Sequence, residues 1–369
     1  MSEIAHPAPD GWLKRFFLSL VILALLAGLL LVPWAVCWLT ASGELDQEEV
    51  VARQAQGEFV LFGPGLAQDI MAYKLALYAA VKPEVVVLGS SRAGNVRAAF
   101  FERPFVNMAG AATDLESLRL LVDRMLAVHR PKVVLLGLDF WWLTAGAPAG
   151  RPERIVQPSL LDASTLRAPW RWLVQGRIAP ADMLAPLQHR LRADRYGLEA
   201  QLRDTGYGPD GSLYEGAVLD GRRPAPDHAF ARTLRELESG SGVWAGSLAP
   251  DRERLEAFAE ICCRLRSRGI RTIVFLPPLA TPVLGALADR NGGDAGWLSA
   301  LRQGLLDCGV ESMDFSDPRV YGSGDCEMMD GLHGGDVIGA SLVRDMGDRQ
   351  PWLRDMLHRE YLSHVLRER

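Results

Sequence analysis

Val85-Val86-Val87-Leu88-Gly89-Ser90-Ser91-Arg92 is an unbroken apolar run that stops on a glycine and two serines. Four aliphatic residues in a row, bounded by a turn, read as a strand buried on both faces, the kind that parallel sheets are made of. A serine just past such a strand stands at its C-terminal edge, where open α/β sheets present ligands and reactive groups. Working outward, Phe105-Val106-Asn107-Met108 reads as a second short strand, and residues 132–137, 272–276 and 310–315 as three more. Between them lie helical patterns at 115–128, 254–268 and 297–308. Alternating strands and helices predict an α/β protein, a mostly parallel five-stranded sheet wrapped by helices as a three-layer α/β/α sandwich.

With 369 residues, 49% of them hydrophobic and 23% charged, the chain is long enough for one large domain or two. A formal net charge of -5 argues against a general nucleic-acid-binding role. Cys37, Cys262, Cys263, Cys308 and Cys326 contain no C-x-x-C, so no zinc site is expected. Adjacent Cys262 and Cys263 fall in a helical pattern and read as core, and a Cys308–Cys326 disulfide is open if the domain lies outside the cytoplasm.

Residues 16–39 carry no charge and are long enough to cross a bilayer as a helix. Lys14 and Arg15 precede them, and Glu44, Asp46, Glu48 and Glu49 follow. The positive-inside rule then leaves residues 1–15 as a cytoplasmic tail and places the rest outside. A cleaved signal peptide is the rival reading, but its apolar region would be shorter. Residues 40–80 read as an amphipathic helical stalk, 81–345 as the sheet domain, and 346–369 as a C-terminal helix. From 146 to 250 the pattern breaks into a stretch rich in Pro, Gly, Arg and Asp, an insertion expected to serve as a lid or a partner surface.

A second constellation lies far along the chain, in Met329-Asp330-Gly331-Leu332-His333-Gly334-Gly335. With the early serines it supplies a nucleophile, a base and a carboxylate to orient the base. Either Ser90 or Ser91 can be the nucleophile, and either can instead cap the helix expected near Ala93. Asp-x-x-His is a weak signal by itself: Asp355-Met356-Leu357-His358 has the same spacing, there inside an expected helix, where such positions share a face. Arg92 and Asp139, both due at one sheet edge, are expected to pair and orient the Ser91 turn. In Phe140-Trp141-Trp142, exposed indoles would suit stacking on sugar rings, while the ordinary reading places them in the core.

The strand followed by Gly89-Ser90-Ser91-Arg92, the Asn107-Met108-Ala109-Gly110 turn and the terminal Asp330-x-x-His333 resemble the SGNH (GDSL-like) hydrolase and acyltransferase superfamily. The N-terminal anchor and the Gly-Ser-Ser form look most like its membrane-anchored bacterial branch, which includes the D-alanyl transfer protein of teichoic acid modification and accessory proteins of polysaccharide O-acylation. The resemblance covers roughly 81–145 and 250–345. It implies Ser91 as nucleophile, His333 as base, Asp330 as orienting acid, and Gly110 N–H as an oxyanion donor supported by Asn107. It also implies an inner-membrane protein with a periplasmic domain, a glycan acceptor, a membrane-bound O-acyltransferase as partner, and no metal or organic cofactor. The family's Gly-x-Asn-Asp block should follow the third strand, where this chain has Gly137-Leu138-Asp139-Phe140. An ionised Asp139 cannot donate to an oxyanion. Loss of one such donor costs on the order of 100-fold in rate. A non-catalytic accessory protein that binds glycan or scaffolds a membrane complex is therefore the competing expectation.

Overall fold

The computed structural model describes residues 10–66, 68–144, 157–219, 222, 227–245, 249–290 and 296–367. Most of the expected cytoplasmic tail, and the start of the insertion at 146–156, lie outside the described residues. Nine strands are present among them. They are β1 (Leu61–Phe62), β2 (Val85–Leu88), β3 (Phe105–Asn107), β4 (Val133–Gly137), β5 (Arg195–Tyr196), β6 (Thr205–Tyr207), β7 (Leu213–Glu215), β8 (Arg271–Leu276) and β9 (Glu311–Asp314).

The five expected strands form one all-parallel sheet in the order β3-β2-β4-β8-β9. All four residues of β2 and all five of β4 are buried, which is why their sequences are continuously apolar rather than alternating. Leu115–Val128 is helical as its periodicity predicts, opened by a capping box between Asp114 and Ser117. The helices Arg252–Ser267 and Gly296–Leu306 likewise fall within two residues of expectation.

The segment expected to be a stalk is part of the fold. It holds the helices Gln47–Ala55 and Ile70–Val81 and, between them, β1. β1 joins strands of the insertion in a second sheet, β5-β1-β6-β7. The buried Lys74 donates from Nζ to Asn107 O at 2.9 Å and also to Gly211 O, tying this segment to β3 and to the β6–β7 turn. That turn covers the outer edge of β3, where Asn107 N–H donates to Asp210 O at 2.7 Å, so the parallel sheet has no bare edge there. Two-residue strands and a single buried lysine leave no periodicity to read, and this part of the organisation was invisible in the sequence.

Two further expectations are corrected. The C-terminal segment is not one helix: Leu357 bridges Phe101, and His358 N–H donates to Phe100 O, splitting it into Pro351–Arg354 and Arg359–Val365. Cys308 pairs with Cys263, 45 residues earlier, while Cys326 is free and exposed and Cys262 is buried.

The helix Asp10–Ala41 is long and apolar enough to cross a membrane. Large apolar side chains are exposed along its described part as far as Val32, but Ala35, Trp38 and Leu39 are fully buried. Trp38 and Leu39 enter a second, smaller apolar cluster with Leu66, Ala168, Trp172, Ile178, Met183 and Leu198, most of it insertion.

Candidate active site

Because every strand of the main sheet runs the same way, the C-terminal ends of β2, β3, β4 and β8 meet at one edge. Gly89 follows β2 with φ +134°, and a Cβ there would stand 2.5 Å from Gly137 O at the end of β4. Only glycine allows this conformation and this approach. The turn it starts is a single 3-10 turn, Ser91–Ala93, rather than an α-helix. The two serines divide their roles in it. Ser90 Oγ accepts the Arg92 N–H at 3.2 Å as the cap, and the exposed Ser91 points its Oγ at His333 Nε2, 3.0 Å away.

His333 Nδ1 lies 2.9 Å and 3.0 Å from the two carboxylate oxygens of Asp330. Asp330 Oδ1 also accepts the backbone N–H groups of Leu332 and His333, each at 2.8 Å. The carboxyl is thus the hub of its own loop. Burial pushes its pKa up, but the bond and charge of His333, with the two backbone N–H donors, outweigh burial and hold it below the ordinary 3.8. An ionised Asp330 accepting Nδ1–H leaves the Nε2 lone pair facing Ser91 Oγ, which is the arrangement a general base needs.

Arg92 joins the two loops. It is 5% exposed, and its guanidinium donates to Asp139 Oδ1 (2.7 Å), Leu332 O (3.2 Å), Pro277 O (2.6 Å) and Pro278 O (2.7 Å). One side chain therefore holds the ends of β4 and β8 and the histidine loop in fixed relation to Ser91. Asp139 is fully buried, and its second oxygen accepts no hydrogen bond among the described residues. A buried carboxylate in this state depends on its single cation, and removing that cation would leave an uncompensated charge.

The remaining site candidates are placed differently from expectation. Gly110 adopts φ +83°, and its N–H donates to Gly89 O at 2.9 Å, so it is not free to bind an oxyanion. The turn after β3 closes back on the Gly89–Ser91 turn and uses that donor structurally. Asn107 is fully buried and spends its side chain locally: Nδ2 donates to Ala93 O and Val96 O, and Oδ1 accepts from Ala109 N–H. It shapes both turns without reaching the serine. The Ser91 N–H has no acceptor among the described residues and remains an available donor. Trp141 and Trp142 are 8% and 1% exposed, with Arg92 over the Trp141 ring, so neither presents a face for a sugar. Both serve the core instead, and Trp141 stands in an aromatic group with Phe140 and Trp244.

Several residues at the site carried no sequence signal. Asn95 Nδ2 donates to Gly334 O and Gly335 O, each at 2.7 Å, and Arg97 pairs with Asp336 at 2.6 Å, so the serine and histidine loops are stitched together over their length. The insertion contributes from the other side. Thr233, in the helix Ala231–Ser239, packs so tightly on Gly331 that a Cβ there would lie 2.6 Å from it, and Arg232 stands 3.6 Å from Asp330 Oδ2. Glu215 on β7 has its pKa raised by burial and feels both His333, which lowers it, and Asp330, which raises it. None of these belongs to a motif, since each acts through a contact with chain that lies far away in the sequence.

Comparison of the chain with protein-family models, with curated proteins and with solved structures found no match in any of the three.

Proposed function

We propose that this protein is a membrane-anchored, extracytoplasmic serine acyltransferase or esterase of the SGNH type, acting on a cell-envelope or secreted polysaccharide. The observation that carries the reading is the relay from Asp330 through His333 Nδ1 and Nε2 to an exposed Ser91 Oγ, with separations of 2.9 Å and 3.0 Å. Ser91 Oγ attacks the acyl carbon of an ester or thioester donor while His333 Nε2 takes its proton. The tetrahedral intermediate collapses as that proton passes to the leaving group. His333 then deprotonates an acceptor hydroxyl, which attacks the acyl-serine, and Ser91 recovers its proton. With a glycan hydroxyl the result is a sugar ester, and with water it is hydrolysis.

Supporting the location are Lys14 and Arg15 on the N-terminal side of the apolar helix and four acidic residues just past it. The same proposal includes a three-layer sandwich, an inner-membrane location with the domain in the periplasm, and a membrane-bound acyltransferase that delivers the acyl donor across the bilayer. A second reading, a non-catalytic accessory protein that binds glycan or scaffolds such a complex, is favoured by one specific observation: Gly110 N–H is already bonded to Gly89 O, which leaves Ser91 N–H without the expected second donor.

Full-length protein in detergent, treated with a fluorophosphonate and mapped by mass spectrometry, separates the two. Labelling at Ser91 that vanishes in both Ser91→Ala and His333→Ala supports the enzyme. A folded wild-type protein that takes no label at Ser91 supports the accessory role.

A further inference from the structure

The anchor helix marks where a bilayer would end. Leu29 and Leu30 are 70% and 75% exposed, exposure is still 43% at Val32, and burial begins at Ala35. The insertion helix Ala163–Val174 meets the anchor at this level: Trp170 Nε1 donates to Leu31 O at 3.3 Å, and Trp172 packs edge-to-face on Trp38 with ring centroids 5.7 Å apart. Indole rings with one polar end belong at such boundaries.

The outward side of this segment is unlike an ordinary water-facing surface. Leu161 and Val174, at 94% and 88%, are the two most exposed large apolar side chains among the described residues, and Leu187 and Leu184 of the same insertion are exposed at 61% and 46%. Arg167 and Arg171 stand one helical turn apart, both exposed, and neither has an acidic partner among the described residues. Their neighbours Arg177, Arg190 and Arg192 are paired with Glu199, Asp182 and Asp204. Apolar side chains beside unpaired arginines, level with the end of a bilayer-length helix, fit the boundary between acyl chains and phosphate headgroups.

We propose that Arg167, Arg171 and Val174 of this helix, together with the exposed Leu161, Leu184 and Leu187 of the segments flanking it, make a second membrane contact, seated in the headgroup region of an anionic phospholipid bilayer. The proposal rests on the reading of Asp10–Ala41 as a membrane-spanning helix. Continuity with that helix's exposed apolar shaft selects lipid as the occupant: Trp170 is bonded to the shaft itself, so whatever surrounds Leu31 also reaches the insertion. The two arginines select anionic headgroups, since basic side chains are attracted to a negatively charged membrane surface. The insertion then fixes how the domain sits on the bilayer, where a single helix would let it swing.

The test uses the full chain, with Cys37→Ala and Cys326→Ser, reconstituted in vesicles of phosphatidylcholine with or without phosphatidylglycerol. A bimane probe is placed at Leu161→Cys or Val174→Cys, with Leu29→Cys as the bilayer control and Val320→Cys as the water control, and quenched by headgroup spin-labelled lipid. Quenching at 161 and 174 several-fold above that at 320, strengthened by phosphatidylglycerol and reduced several-fold by Arg167→Glu with Arg171→Glu, is the expected result. If 161 and 174 match 320 while 29 is quenched, the face looks to water or to a protein, and the proposal is overturned. If 29 also escapes quenching, the membrane-spanning reading fails first and takes the proposal with it. Quenching indifferent to both phosphatidylglycerol and the arginine changes overturns the anionic-headgroup assignment.

Discussion

At the scale of single residues, the two adjacent serines make the clearest contrast. Ser90 is a cap and Ser91 faces the histidine, so Ser90→Ala should cost about 1 kcal/mol in a denaturant titration and keep fluorophosphonate labelling at Ser91. Arg92→Met is expected to be far more damaging. It strands Asp139, a loss on the order of 3–5 kcal/mol for a broken buried pair, and it frees the histidine loop from the ends of β4 and β8. Replacing both partners, Arg92→Met with Asp139→Leu, should recover much of the stability but not the labelling, because the bonds to Leu332 O, Pro277 O and Pro278 O are still missing. Asp330 sets a pH dependence whose sign is fixed. Its folded pKa lies below the unfolded 3.8, so the unfolded chain binds its proton first as pH falls. The stability it contributes is present above about pH 4 and is lost as pH falls through the folded value. The stability gap between wild type and Asp330→Asn should therefore shrink as melts are moved from pH 7 to below 4.

At the scale of elements, glycines decide how closely the loops approach. Gly89→Ala forces a side chain into φ +134° and against Gly137 O, which should cost about 1–3 kcal/mol from backbone strain alone and displace Ser91 from His333. Gly331→Ala meets Thr233 of the insertion, so its expected effect is a slower labelling rate at Ser91 with most of the stability retained. In that sense the insertion is a buttress for the Asp330–His333 loop, and the exposure of Ser91 shows that it is not closed over that serine. The Cys263–Cys308 link joins the helix Arg252–Ser267 to the turn before β9. Peptide mapping without reductant should recover these two as a linked pair, with Cys326 alkylated freely. At a sequence separation of 45, the chain-entropy model gives a loss of about 4 kcal/mol on reduction.

For the whole molecule, the bilayer-length helix is part of the fold at its C-terminal end. Trp38 and Leu39 are buried among residues of the insertion, so cutting the chain after residue 41 opens that apolar cluster. Trp38→Ala should cost about 3–5 kcal/mol as a large-to-small core change, read as a lower melting temperature and faster proteolysis of 157–219. A soluble form prepared by truncation will share this weakness, which is the reason to assay the full chain.

The residues that announced themselves were those whose chemistry or periodicity is local. Buried parallel strands are continuously apolar because both faces are covered, and a glycine turn after the first of them is needed to bring Ser91 to the sheet edge. The five strands, the helix 115–128, the bilayer-length helix and the Ser91, Asp330 and His333 candidates were all legible for that reason, as was the pairing of Arg92 with Asp139. Tertiary structure alone decided which serine faces the base, that Gly110 spends its N–H on Gly89, that the tryptophans turn inward, and which cysteine Cys308 meets. It also turned a supposed stalk into two packed helices and one strand of a second sheet. Each of these depends on what lies opposite a residue in space, supplied by chain often more than a hundred positions away, and no window of neighbouring sequence contains it.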